Sequence, residues 1–151
     1  MPRTKCGFDS GPAGSGQDLL VLHGPTLGVD IGFDPSFQPV GTAIPVPAVK
    51  AVPALVDTGA TISCIDTVLA TSLNLPIVDR QKISGASGIK EADMYLAQIH
   101  VSALSITIYG SFAGVDLRAG GQVHQALIGR TFLQRFTMIY EGTTGTVTLF
   151  N

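Results

Sequence analysis

Tryptophan is absent, cysteine occurs only twice, and charged residues make up 13% of the 151-residue chain. Each shortage excludes something. With a net charge of −2 and no basic stripe, the chain lacks the surface that neutralises a phosphate backbone, so nucleic acid is not expected as a partner. Cys6 and Cys64 lie far apart in dissimilar surroundings, which fits two reduced thiols better than a disulfide framework. No apolar run approaches the ~20 residues of a membrane span. The opening stretch, MPRTKCGFDSGPAGSGQD, has no continuous apolar region of the secretory kind, and a cytoplasmic location is the expectation. His23, His100 and His124 show no metal-ligand spacing, so neither metal nor other cofactor is expected.

What is present is 45% hydrophobic residues and 18 glycines in one domain's length of chain, the composition of a β-rich, turn-rich protein with a real core. Residues 1–17 are rich in Gly, Ser and Pro and read as a mobile tail, leaving 18–151 as the folded domain. LLVLHG and TLGVDIGF read as the first strands. Residues 34–48 hold four of the nine prolines and read as a surface excursion. A short helix is expected after Asp66, with Ile65, Leu69 and Leu73 at i, i+4, i+8. KISGASGIKE reads as a hairpin with Gly85 and Gly88 at its tip, followed by strands MYLAQIHV and LSITIYG. A second short helix is expected over RTFLQRF, and a closing hairpin turns at Gly142–Gly145.

The stretch PALVDTGATISCID places Asp57 at the end of a hydrophobic strand, with Thr58-Gly59 offering a turn directly after it. An ionised carboxylate at the edge of a core is costly unless it is paired or shares a proton. An Asp with Gly two residues on is common in ordinary turns, and any hairpin favours glycines such as Gly85 and Gly88. Other candidate chemistries are weaker. No spacing joins Cys64 to His100 or His124 as a nucleophile and base, and a structural thiol is the simpler reading, with His100 a surface or structural residue. Ser87-x-x-Lys90 lacks the helix start that serine acylases use.

Taken in order, a strand into Asp57-Thr58-Gly59-Ala60-Thr61, a Gly-rich hairpin at 83–89 and Leu127-Ile128-Gly129-Arg130 opening a helix, the chain resembles the retropepsin-like aspartic proteases, closest to their single-domain bacterial and retroelement members. The resemblance covers residues 26–150 and implies a mainly β, closed barrel-like fold with two short helices and one lobe per chain. Because Asp-Thr-Gly occurs once, it also implies a homodimer whose two Asp57 carboxylates meet at a two-fold axis. Asp57, Thr58 and Gly59 would form the catalytic loop. Ala60, Thr61, Leu127, Ile128 and the hairpin residues Ile83, Ser84, Gly85, Ala86, Ser87 and Gly88 would contact substrate, the hairpin acting as a flap. Gly129 and Arg130 would brace the loop and the dimer. The family's Asp two residues beyond the loop glycine is Thr61 here, so Arg130 lacks its usual partner. Pepsin-like enzymes carry Ser where this chain has Ala60, and without that donor a mildly acidic optimum of roughly pH 5–6 is expected.

The implied activity is an aspartic endopeptidase cleaving extended, hydrophobic peptide segments. Two alternatives remain open from the sequence. One is a dimeric binding module that keeps the fold with little or no turnover; the other is a cysteine hydrolase using Cys64, which predicts inactivation by thiol alkylation.

Overall fold

The computed structural model describes residues 2–86 and 88–151. Its centre is a barrel of six strands: β2 (Thr26–Gly32), β3 (Val49–Val56), β8 (Ala126–Ile128), β4 (Cys64–Asp66), β7 (Ile106–Val115) and β6 (Gly88–Val101), closed by pairing of β6 back onto β2. The closed, mostly β architecture is the one the resemblance implies. Alternation builds the interior: Leu27, Val29 and Ile31 on β2 and Val52, Ala54 and Val56 on β3 point inward and are buried. β5 (Ile77–Gly85) lies outside the ring, paired only with β6, and extends it as a long hairpin.

The expected tip is where the register puts it. Gly85 pairs with Gly88 at the end of the hairpin; Ser87 lies outside the described residues. The excursion at 34–48 carries no helix or strand. The closing hairpin forms from β9 (Thr137–Glu141) and β10 (Thr146–Phe150).

Three readings of the sequence need correction. The segment expected as a mobile tail is docked: β1 (Arg3–Lys5) pairs with β10, making a second sheet in the order β1-β10-β9, and Cys6 is buried. The partners are more than a hundred residues apart in sequence, so no local pattern announces the pairing. LLVLHG is not a strand but most of helix α1 (Gly16–His23), making three short helices among the described residues. Its N-terminus is capped by the Ser15 hydroxyl, which accepts from Asp18 N–H at 3.0 Å, and only Leu20 of the apolar run is fully buried while Val21 and Leu22 face solvent. The strand expected from Leu104 begins at Ile106, because Ser102–Leu104 closes a 3-10 turn with Ser105 in the left-handed region at φ 53°.

The two expected helices form as α2 (Thr67–Ser72) and α3 (Arg130–Leu133), the latter shorter than RTFLQRF suggests. Asp66 caps α2 from a fully buried position. Its carboxylate also accepts from Leu117 N–H at 3.1 Å, tying β4 to the loop after β7.

Candidate active site

Asp57 follows directly on β3, which runs parallel to β8 with Val56 opposite Ile128. The ladder continues one step into the loop, Asp57 N–H donating to Ile128 C=O at 2.9 Å. The chain then turns on itself. Gly59 N–H donates to Asp57 Oδ1 at 2.9 Å, and Ala60 N–H to Asp57 C=O at 3.2 Å. The carboxylate is thus fixed by a donor from its own loop while remaining half-buried. Among the described residues no cation comes within ion-pair distance of it.

The loop is held from below by the segment 129–131. Arg130 N–H donates to Ala60 C=O and Thr131 N–H to Thr61 C=O, at 2.9 and 3.0 Å. Gly129 N–H donates to the buried Ser63 hydroxyl at 3.1 Å. A side chain at 129 does not fit, since a Cβ there would stand 2.5 Å from Ile62 O. The Arg130 guanidinium closes the clamp, donating to Thr58 C=O at 2.8 Å and to the Thr61 hydroxyl at 3.1 Å. The residue that displaces the family's Asp therefore still serves Arg130, as a neutral acceptor in place of a charged one. Arg130 makes no ion pair among the described residues.

A second apolar cluster, separate from the main core, gathers the buried side chains of Cys64, Ala92, Met94 and Ala113 with the partly buried Ile62, Ile83, Val115 and Leu127. It joins the hairpin arm (Ile83), the segment just past the Asp57 loop (Ile62) and β8 (Leu127). Burial pushes the Cys64 thiol up to about 11, and the charge of nearby Asp57 adds to the shift. Cys64 is therefore an uncharged wall group close to Asp57, and a thiolate nucleophile is not what this site holds. Cys6 is likewise a free, buried thiol held neutral by desolvation at about 11.

Of the residues expected at the site, the structure brings Asp57, Thr58, Gly59, Ala60, Thr61, Gly129 and Arg130 into one hydrogen-bonded unit, and Ile83 and Leu127 into one apolar cluster. Ser84, Gly85, Ala86 and Gly88 are exposed on the hairpin. Ile128, expected both to contact substrate and to pack beneath the loop, is turned by alternation on β8, with Ala126, into the main core and is fully buried. Sequence reasoning missed Ser63, Ala92, Met94 and Ala113. Small or polar residues on strands carry no local mark of which cluster they will join.

His100 and His124 are each held by polar neighbours. His100 Nδ1 lies 2.9 Å from the Thr107 hydroxyl, and His124 is buried between Thr26 and Gln122. Burial, and then the charge of His23, lowers the His124 pKa. No cluster of metal-ligating side chains occurs among the described residues, and no helix among them is long and apolar enough to cross a membrane.

A model of the family described as "gag-polyprotein putative aspartyl protease" matches residues 48–135, more than half of the chain. No curated protein matches it.

Proposed function

Since the chain belongs to the gag-polyprotein aspartyl protease family, a retropepsin-like group of proteases, we propose that it is an endopeptidase active as a homodimer, with Asp57 of each copy supplying half of the catalytic pair. The observation that carries the reading is the setting of Asp57, oriented by Gly59 N–H and with no cation within ion-pair distance among the described residues. A symmetry-related carboxylate completes such a site. Two carboxyl groups a few ångströms apart cannot both ionise at little cost, so they share one proton and titrate as a pair. The ionised member takes a proton from a water held between them as that water attacks the scissile carbonyl. The protonated member donates to the carbonyl oxygen. Collapse of the tetrahedral species passes a proton to the departing amine, and no enzyme-bound intermediate forms.

The remaining parts have matching roles. The Arg130 clamp on Thr58 C=O holds the loop that carries the carboxylate. The cluster around Cys64 and Leu127 is an apolar wall beside Asp57, suited to hydrophobic side chains of an extended segment. The β5–β6 hairpin would lie over that segment and exclude water. For the seam between copies, the β1-β10-β9 sheet offers two unlike edges. β1 carries Arg3 and Lys5, charges that discourage edge pairing, whereas β9 presents half-exposed Ile139 and Tyr140 on a strand with no proline or lysine. We take β9 as that seam.

Cleavage of a hydrophobic peptide library between pH 4 and 7, inhibited by a pepstatin-type transition-state analogue and abolished by Asp57→Asn, is the expected result. A folded protein with no cleavage would favour the binding-module alternative, and loss of activity on thiol alkylation with indifference to Asp57→Asn would favour a cysteine hydrolase.

A further inference from the structure

On the outer face of the barrel the excursion at 34–48 forms a built roof, and none of the residues lining the space beneath it belongs to the Asp57 loop. Asp34 Oδ1 accepts from Ser36 N–H and Oδ2 from Val46 N–H, each at 2.9 Å. The Gln98 amide, more than nine-tenths buried on β6, accepts from Asp34 N–H at 2.7 Å and donates to Asp34 C=O at 3.2 Å. Phe37 of the roof meets Tyr109 of β7 edge-on, ring centroids 5.9 Å apart. Between roof and strands lies a cavity of about 430 Å³, within the range of small-ligand sites. Phe37, Pro39, Ile44 and Tyr109 give it apolar walls. His100, Ser102, Ser105 and Thr107 give it a polar floor.

His100 is the informative group. It is 7% exposed, and its Nδ1 is engaged by Thr107. Nε2 makes no hydrogen bond within the described residues, yet no buried polar side-chain atom among them is left without a partner, so Nε2 opens onto the cavity. A nine-tenths-buried imidazole with one nitrogen fixed and the other facing a walled space is a single polar anchor. The charged group facing His100 is Asp30, its cross-strand partner on β2, which accepts from Ala51 N–H and does not line the cavity. From β7 the facing group is Thr107, and the roof contributes no charged side chain to the lining. No Asp, Glu, Lys or Arg among the described residues lines the space, so an ion entering it would meet no counter-charge.

We propose that this cavity is a binding site for a small uncharged aromatic molecule carrying one hydroxyl or ring N–H, its ring between the apolar walls and its polar atom on His100 Nε2. The neighbouring Thr107 hydroxyl can donate to or accept from Nδ1, so Nε2 can serve as acceptor or donor toward the ligand. The site is separate from the Asp57 loop and independent of whether the protein cleaves peptides.

The test is an NMR titration of the full chain, following the imidazole resonances of the three histidines with p-cresol, toluene and benzoate as probes. With p-cresol, a saturable shift is expected at His100 and none at His23 or His124. Toluene, lacking the hydroxyl, and benzoate, carrying a charge, are each expected to bind about fivefold or more weakly. His100→Leu should remove the advantage of p-cresol over toluene. Tyr109→Ala, which alters a half-exposed wall and spares the core, should weaken p-cresol and toluene alike. Absence of a saturable shift at His100, equal affinity for p-cresol and toluene, or tighter binding of benzoate would each overturn the proposal.

Discussion

Arg130 shows how a lost carboxylate is replaced at the level of single side chains. Its two hydrogen bonds, to Thr58 C=O and the Thr61 hydroxyl, span the loop that carries Asp57. Arg130→Met should lower kcat/KM by at least tenfold and stability by about 1–2 kcal/mol, the value being limited by solvent exposure. Arg130→Lys should not rescue it, because an ammonium cannot reproduce the two-pronged geometry. Equilibrium unfolding and steady-state kinetics on the two variants check this. His124 supplies a pH dependence. Its folded-state pKa is depressed by burial and by His23, so the unfolded chain takes up a proton more readily below the ordinary histidine value of 6.5. Stability contributed by neutral His124 is present above that pH and is lost on acidification, as denaturant melts between pH 7 and 5 should show. His124→Gln should flatten that slope. The protease would then work on the acid flank of its own stability curve. At this scale the sequence announced Asp57-Thr58-Gly59 plainly. It did not announce Thr61 as the acceptor for Arg130 or Ser63 as the acceptor for Gly129, because both depend on segments some 66–69 residues away in sequence closing onto each other.

Elements were legible in proportion to how local their causes are. The β5–β6 hairpin could be read from its glycines, since the turn chemistry lies within a few residues of the strands it joins. Gly88 sits at φ +102°, where an L side chain is strained. Gly88→Ala should reduce kcat/KM several-fold through the hairpin and lower Tm by only a few degrees, about 1 kcal/mol of local strain at an exposed position outside the core; a thermal melt paired with kinetics separates the two. Helix α1 was misread because four apolar residues in a row suit a buried strand as well as a helix. The helix start is marked by Ser15 three residues before Asp18, a cap set among glycines that by themselves favour turns. β1 was missed for a different reason, since its strand character comes wholly from β10.

At the scale of the whole molecule, one barrel presents one Asp-Thr-Gly carboxylate, and the proposed mechanism needs a second copy. Replacing Ile139 by Lys on the β9 edge should shift the protein toward monomer by sedimentation and lower specific activity at dilute concentration, with activity recovering as protein concentration rises. The sequence made the barrel readable through a family's spacing of motifs. The second sheet and the docked N-terminus were not readable, because they arise from pairing between the two ends of the chain. The most direct test mixes wild-type chains with Asp57→Asn chains at fixed total concentration and allows them to exchange. If two copies build each site and one missing carboxylate disables it, activity should follow the square of the wild-type fraction, falling to about a quarter at equal mixing. A linear fall to one half would mean that each chain acts alone, and would contradict the account.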